Sequence, residues 1–311
     1  MQKKILVAVD GSPASNRALD YLGLMEGARI RELSVTLLYV MNPIPPYLRR
    51  EGQAAPEAFK RLRALENKNR QAARQVLEGA RERMLDHGMA PEQVETKALP
   101  RTADVARDIL FQAEQGLYDA LVLGRRGLSK AQELFVGSVT NKVVQHAERL
   151  PVWILGGRVT SLKVLCPVDA SEGSLRAVDH LAFMLGGNPE CEITLFHVGA
   201  TLANYCPLEF AEQEGVEIEG DLMRVEQECM DDFYARALEV LSQGGVERDQ
   251  VRTKSVEGRL GVTRAILAEL KEGDYGTVVL GRRGENRSFF LGHVSDKVVS
   301  RADTVAVWVV G

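Results

Sequence analysis

A glycine-rich segment that occurs twice is the part of the sequence best suited to chemistry. Its first copy, GRRGLSKAQELFVGSV, places glycines at positions 124, 127 and 137 and follows the last with Ser138, in the pattern G-x2-G-x9-G-S. Glycine carries no Cβ, so the backbone N–H groups of Gly124, Gly127 and Gly137 can approach an anion closely. The run YDALVL before the segment reads as a buried strand, and VTNKVVQHAER after it reads as a helix. A helix N-terminus presents unpaired N–H donors, so the segment predicts a phosphate-binding loop in which Ser138 donates its hydroxyl or caps the helix.

Two positions nearer the start of the chain belong to the same predicted edge. Asp10 ends the apolar run ILVAVD, and its carboxylate can accept hydrogen bonds from a ribose hydroxyl or an adenine amino group. Val40 ends the run VTLLYV, where its backbone N–H and C=O can read an adenine edge. The carboxyl ends of parallel strands are where such sheets bind ligands. Arg125 adds a cation beside the loop. The alternatives are that Asp10 only caps the helix starting near Pro13 and that the glycines are turn residues.

The second copy of the segment, GRRGENRSFFLGHV, departs from the first in two ways. Its spacing is G-x2-G-x7-G, and His293 replaces the serine. We expect the two missing residues to draw Gly292 towards Gly284, and a neutral histidine at a helix N-terminus to be a poor neighbour for phosphates. The second copy therefore predicts a degenerate site that binds no triphosphate or a smaller ligand, unless Arg282, Arg283 and Arg287 compensate. The corresponding candidates are Asp169, Val198, Gly281, Gly284, Gly292 and His293.

The second half of the chain restates the first, which indicates a duplicated domain. The clearest matches are KKILVAVDGSPASNRALDYL (3–22) with LKVLCPVDASEGSLRAVDHL (162–181), and YDALVLGRRG (118–127) with YGTVVLGRRG (275–284). Order is kept throughout, and only connecting loops change length. We predict two domains, residues 1–157 and 158–311, with the nucleotide motif intact in the first and degenerate in the second.

Strand and helix patterns alternate within each copy. The runs ILVAVD, VTLLYV, ALVLG and PVWIL are short and rich in β-branched residues, as in strands buried on both faces. Helical patterns lie between them: one opens with Ser12 as N-cap and Pro13 at the first helical position, and another runs from Glu57 to Leu85. This alternation predicts an α/β fold of two tandem open sandwiches, each with a five-stranded parallel or mostly parallel sheet flanked by helices, related by pseudo-two-fold symmetry.

Composition excludes several classes of protein. The 311 residues are 45% apolar and 26% charged, and no apolar run approaches the roughly 18 residues of a membrane span. The four cysteines have no CxxC spacing, so we expect neither a metal site nor disulfides and place the protein in the cytoplasm. Residues 1–157 carry a net charge of +5 and the remainder −9. A basic first half suits an anionic ligand and an acidic second half does not suit nucleic acid, although complementary docking of the halves explains the charges equally well.

These residues and their order resemble the universal stress protein family in its tandem, two-domain form, over essentially the whole chain. The family's ATP-binding motif, G-x2-G-x9-G-(S/T), is matched in full by the first copy. The resemblance implies ATP as ligand, with a divalent ion such as Mg²⁺, and nucleoside contacts from Asp10 and the Val40 backbone. It places around the phosphates Gly124, Gly127, Gly137, Ser138 and Val139. It also implies pairing of the two domains through their last strands, and a homodimer is compatible with it.

The expected function is that of an ATP-binding stress-response regulator that hydrolyses ATP slowly or not at all and signals by conformation or to an unidentified protein partner. No catalytic residue is predicted. The sequence contains no SGGxDS, HxGH, KMSKS or GxxxxGK(S/T) motif, which argues against ATP pyrophosphatases, nucleotidyl transferases and P-loop kinases. The alternatives are a scaffold of the same fold that binds no nucleotide, and a slow ATPase.

Overall fold

The computed structural model describes residues 2–27, 33–48, 50, 56–126, 136–199, 212–258, 261–282 and 291–311, with residues 212–219 and 222 described by their backbone alone. The chain divides into two compact units. The first is formed mainly by residues up to Leu155 and the second mainly by residues from Gly156 onwards. No helix among the described residues is long and apolar enough to cross a membrane.

The first unit alternates strands and helices. Its elements are β1 (Lys3–Ala8), α1 (Pro13–Gly27), β2 (Leu33–Met41), α2 (Pro56–Asp86), a 3-10 turn (Pro91–Gln93), β3 (Val94–Pro100), α3 (Val105–Gln115), β4 (Ala120–Gly124), α4 (Ser138–His146) and β5 (Val152–Leu155). The strands lie in the order β3-β2-β1-β4-β5, and each neighbouring pair is parallel. The predicted five-stranded parallel sheet flanked by helices is confirmed.

The second unit repeats this arrangement. Its elements are β6 (Lys163–Val168), α5 (Glu172–Leu185), β7 (Glu192–Gly199), α6 (Glu212–Gln243), a 3-10 turn (Arg248–Gln250), β8 (Val251–Glu257), α7 (Val262–Glu272), β9 (Thr277–Gly281), α8 (His293–Arg301) and β10 (Ala306–Val310). Its strands lie in the order β8-β7-β6-β9-β10, again all parallel.

Strands whose side chains are apolar on both faces form the core. All five residues of β10 and all four of β5 are buried. Tyr21 on α1 packs edge-on against Trp153, with ring centroids 6.3 Å apart, and His180 on α5 packs against Trp308 at 5.6 Å. These two ring contacts occupy corresponding positions in the two copies, and each holds its helix, α1 or α5, against the sheet.

Local capping sets the start of α1 as the sequence predicts. The Ser12 hydroxyl accepts a hydrogen bond from the Ser15 N–H at 3.2 Å, and Pro13 is the first helical residue. Helix α2 spans one residue more at each end than the predicted range of 57–85. Helix α1 therefore begins where local residue chemistry places it.

Candidate functional site

The first-unit candidates that the structure describes lie near the point where the strand order reverses. Strands β2 and β3 lie on one side of β1, and strands β4 and β5 lie on the other. Ala8, the last residue of β1, pairs with Leu38 on one neighbour and Leu123 on the other. Asp10 and Gly124 therefore lie at the carboxyl ends of adjacent strands, beside the crevice where open α/β sheets bind ligands.

The backbone of Val40 faces this crevice. The Leu38 carbonyl accepts from the Val9 N–H at 2.9 Å, so the backbone polar groups of Leu38 point towards β1. Backbone direction alternates along a strand, and Val40, two residues on, points its N–H and C=O to the same side. Strand β1 has ended by then, at Ala8. These two groups are therefore presented beyond the end of β1, in the position needed to read the edge of a planar base.

Asp10 shapes the turn that follows β1. Its Oδ1 accepts from the Ser12 N–H at 2.9 Å, while the N-cap of α1 is provided by Ser12. The carboxylate is half-buried at the rim of the sheet. The alternative in which Asp10 itself caps the helix is not what the structure shows.

Gly124 is required for packing. A Cβ on Gly124 would lie 2.7 Å from the backbone carbon of Ala14 and 2.9 Å from its carbonyl oxygen. The Thr140 hydroxyl donates to the Gly124 carbonyl at 2.9 Å and so ties the first turn of α4 to the end of β4. Glycine here lets α1 lie directly on β4, which is a role independent of any phosphate.

Arg125 and Gly137 lock the two ends of the loop together. The Arg125 N–H donates to the Leu155 carbonyl at 2.7 Å, and its own carbonyl accepts from the Gly137 N–H at 2.8 Å. Arg125 is only 4% exposed, so this residue lies within the fold rather than on its surface. The Gly137 N–H is occupied by this bond, which leaves Gly137 as an anchor of the loop.

The donors at this end of the crevice come from the first turn of α4. Gly137 is the N-cap, without a side-chain capping bond, and the first intrahelical bond runs from the Asn141 N–H to the Gly137 carbonyl at 2.8 Å. Helix geometry therefore leaves the N–H groups of Ser138, Val139 and Thr140 without intrahelical acceptors. Ser138 is exposed and is not the cap. Gly127 lies outside the described residues.

The second unit reproduces this frame despite its shorter loop. The Arg282 N–H donates to the Val310 carbonyl at 2.7 Å, and the Gly292 N–H donates to the Arg282 carbonyl at 2.8 Å. The Ser295 hydroxyl donates to the Gly281 carbonyl at 2.8 Å, as Thr140 does to Gly124. Gly292 thus keeps the anchor that Gly137 has, with two fewer residues between the anchor points. Gly284, towards which we expected Gly292 to move, lies outside the described residues.

The Asp169 carboxylate of the second unit accepts hydrogen bonds from its own turn. Oδ1 of Asp169 accepts from the Ser171 hydroxyl at 2.5 Å, the Ser174 hydroxyl at 2.6 Å and the Ser171 N–H at 3.2 Å. In the first unit the Ser15 hydroxyl instead donates to the Ser12 carbonyl, at 3.0 Å. Asp169 is therefore held by the two serines of the turn that follows β6.

The remaining second-unit candidates keep the predicted positions. Gly281 ends β9, and a Cβ there would lie 2.7 Å from the backbone of Gly173. Val198 lies one residue before the end of β7, and His293 is the exposed first residue of α8. In the described residues, no group of three or more His, Cys, Asp or Glu side chains could hold a metal ion.

Sequence reasoning missed the hydroxyl that ties α4 and α8 to the sheet. Thr140 and Ser295 both lie three residues after the last glycine of their motif, in GSVT and GHVS. The sequence could have predicted a structural role for this position, because a hydroxyl residue occurs there in both copies although the residue directly after the glycine changes.

Comparison with known proteins decides the family. The model of the universal stress protein family matches residues 1–156 and again residues 161–311. The chain belongs to the universal stress protein family. It is 29% identical over 147 residues to the universal stress protein YxiE of Bacillus subtilis, an alignment that covers 47% of this chain and 93% of that relative. It is 25% identical over 249 residues to a universal stress protein of Mycobacterium tuberculosis, covering 73% of this chain and 71% of the relative.

Solved structures of other universal stress proteins share the fold along the whole chain. A universal stress protein from Archaeoglobus fulgidus superposes with a TM-score of 0.65 at 23% identity, over 99% of this chain and 97% of that one. A protein of Pseudomonas aeruginosa superposes with a TM-score of 0.54 at 14% identity, over 99% and 93% of the two chains. At these identities the likeness establishes a shared fold.

Proposed function

We propose that the first unit of this universal stress protein binds ATP at the carboxyl edge of β1, β2 and β4. The observation that carries the proposal is the convergence of three kinds of group at the point where the strand order reverses. These are the outward-facing backbone of Val40, the carboxylate of Asp10 and the first turn of α4. They match in order the base, the ribose and the phosphates of a nucleotide.

The residues present fit such a ligand. An adenine edge needs one donor and one acceptor side by side, which the N–H and C=O of Val40 supply. A ribose hydroxyl needs an acceptor, which Asp10 supplies. A triphosphate needs several N–H donors and a positive potential, which the N–H groups of Ser138, Val139 and Thr140 supply together with the helix dipole. Gly127 and its neighbours complete the motif in sequence, and a divalent ion would be carried with the phosphates.

We propose a regulatory role rather than turnover, with ATP held and hydrolysed slowly or not at all, and its presence signalled to a protein partner. The second unit would bind no ATP or a smaller ligand. There Asp169 Oδ1 accepts three hydrogen bonds from its own turn, and the bulky His293 stands in the place of Ser138.

A scaffold that binds no nucleotide is the second candidate, because one observation favours it. Gly124 and Gly281 are both required by close packing against the helix after the first strand of their unit. Retention of these glycines in both copies therefore follows from the fold alone and does not demand a ligand.

Substitution of Ser138 by proline tests the site. Ser138 is the first residue of α4, and Gly137 before it has φ −57° and ψ 150°, a conformation that a following proline accepts. Ser138→Pro therefore removes one N–H donor and the hydroxyl while preserving the helix. His293→Pro makes the same change in the second unit, whose preceding Gly292 has φ −57° and ψ 148°.

The measurement is equilibrium titration of the full chain with ATP and magnesium, after assay of the nucleotide content of freshly purified protein. We expect about one ATP per chain, an affinity loss of about tenfold or more in Ser138→Pro, and no change in His293→Pro. Equal ATP affinity in wild type and Ser138→Pro would show that the phosphates do not bind at the N-terminus of α4. An absence of binding by folded wild type would favour the scaffold.

A further inference from the structure

Helix α2 carries a straight row of arginines along one side. Four arginines lie at the spacing i, i+7, i+11 and i+18, which keeps them within about 40° of one line on a helix of about 3.6 residues per turn. At about 1.5 Å of rise per residue, the row is about 27 Å long. The first three members are exposed and the last is half-buried. This arginine row consists of Arg63, Arg70, Arg74 and Arg81.

Helix α6 carries a row of carboxylates at the same spacing, i, i+7, i+11 and i+18, and all four residues are exposed. This acidic row consists of Asp221, Glu228, Asp232 and Glu239. The buried residues Met230, Ala237 and Leu241 lie about 160–180° round the helix from Asp221. The acidic row therefore lies on the side of α6 that faces away from the core.

Ion pairs within each helix involve the rows mainly at their N-terminal ends. Nη1 of Arg63 lies 3.7 Å from Oε2 of Glu66 on α2. On α6, the Arg224 guanidinium lies 3.2 Å from Asp221 and 3.8 Å from Glu228. These contacts join neighbouring turns of an exposed helix surface, where water and salt screen them strongly.

The middle of each row keeps its charge. Among the residues that the structure describes, no ion pair involves Arg70, Arg74 or Asp232. Residues 63–81 contain five basic and two acidic side chains, and residues 221–239 contain six acidic and two basic ones. The two helices therefore present opposite excess charge along lines of equal length and equal spacing.

We propose that the arginine row of one copy of this chain docks against the acidic row of a second copy. A single exposed ion pair contributes little to association, so a stable contact needs several pairs in register. The common spacing supplies four guanidinium–carboxylate pairs, and it reads the same from either end, so the rows match whether the helices run parallel or antiparallel.

A second copy is the occupant that accounts for both rows. A polyanion such as a nucleic acid would meet the arginine row alone and would leave the equal spacing of the acidic row without a purpose. Each chain has one row of each kind, so the contact joins two different surfaces. It closes reciprocally into a dimer or continues from chain to chain.

The test measures the weight-average mass of the full chain by sedimentation equilibrium without nucleotide, over a range of protein concentrations. Low salt of about 0.02 M is compared with high salt of about 0.5 M, which screens exposed charges. Two variants reverse the middle of one row each. The first is Arg70→Glu with Arg74→Glu, and the second is Glu228→Arg with Asp232→Arg.

A matched control makes the same charge change on the same helix. Arg61→Glu with Lys68→Glu alters two exposed residues of α2 that lie about 140–160° round the helix from Arg63. This control separates the arrangement of the row from the net charge of α2.

We expect the wild-type mass at low salt to rise with concentration, and to exceed that at high salt and that of either row variant by about twofold or more. The control should match wild type. An equimolar mixture of the two row variants should recover the wild-type mass, because the reversed rows complement each other and so do the unaltered ones. Recovery would also show that both variants are folded.

Several results would overturn the proposal. These are a wild-type mass that depends on neither salt nor concentration, a control that loses association as the row variants do, and a mixture no heavier than its components. Association that appears only when duplex DNA is added would assign the arginine row to a nucleic acid instead. Because nucleotide is absent throughout, the outcome is independent of ATP binding by the first unit.

Discussion

Lowering the pH from 7.5 to 5 should destabilise the second unit through one buried histidine. His180 on α5 is 7% exposed, and its ring packs against Trp308. Burial lowers the pKa of His180 to about 3, because the charged imidazolium would lose its hydration. In the unfolded chain the pKa of a histidine is about 6.5.

The sign and size follow from these two pKa values. At pH 5 the unfolded chain binds a proton at His180 and the folded chain does not, so the free energy of unfolding falls as the pH falls from about 6.5 towards about 3. At pH 5 the loss is about 2 kcal/mol relative to pH 7.5, where the contribution is close to zero.

The assay is urea unfolding at both pH values in a Trp153→Phe background, so that Trp308 alone reports by fluorescence. His180→Phe is the comparison, since an aromatic ring already fills the corresponding place in the first copy, where Tyr21 packs on Trp153. Other titrating groups contribute equally to both proteins. If wild type and His180→Phe lose the same stability between pH 7.5 and 5, the reasoning about His180 is wrong.

Two further predictions concern the frame of the nucleotide site. Gly124→Ala should destabilise the first unit by about 1–3 kcal/mol, since its Cβ would overlap the Ala14 backbone; urea unfolding measures this, and a neutral effect would contradict the packing role. Thr140→Val should cost about 1–3 kcal/mol by removing the hydroxyl that donates to the Gly124 carbonyl. Ser295→Ala is its counterpart in the second unit, and thermal or urea unfolding that leaves both variants at wild-type stability would refute the shared role.

The edge strands β3 and β8 show where pattern reading is weak. Five strands per domain are predicted, but only four apolar runs in each copy identify them. The strand of each copy that no apolar run identifies is β3 or β8, at the edge of its sheet. Val94 is the only buried residue of β3, and Val251 is the only buried residue of β8. A strand so exposed has no continuous apolar run, so its place is set by its register with β2 or β7 rather than by its composition.

The candidate site divides in the same way. The sequence places Asp10, Val40 and the start of α4 at one edge, because carboxyl ends of parallel strands share an edge and caps are local. It also assigns Gly137 to the phosphates, whereas the structure uses the Gly137 N–H to bind the Arg125 carbonyl. Such a bond joins residues separated by a loop and leaves no trace in residue type.

The sequence by itself determined the duplication, the parallel α/β class, the start of α1 at Ser12 and Pro13, and the membership of the universal stress protein family. Each of these depends on repeated or local patterns. Only the tertiary structure decided that Gly124 is required by Ala14 and that Asp169 is held by Ser171 and Ser174. Those features depend on the distances between segments that are far apart in the sequence, or between side chains at the start of a helix. Packing sets these distances, and residue type alone does not.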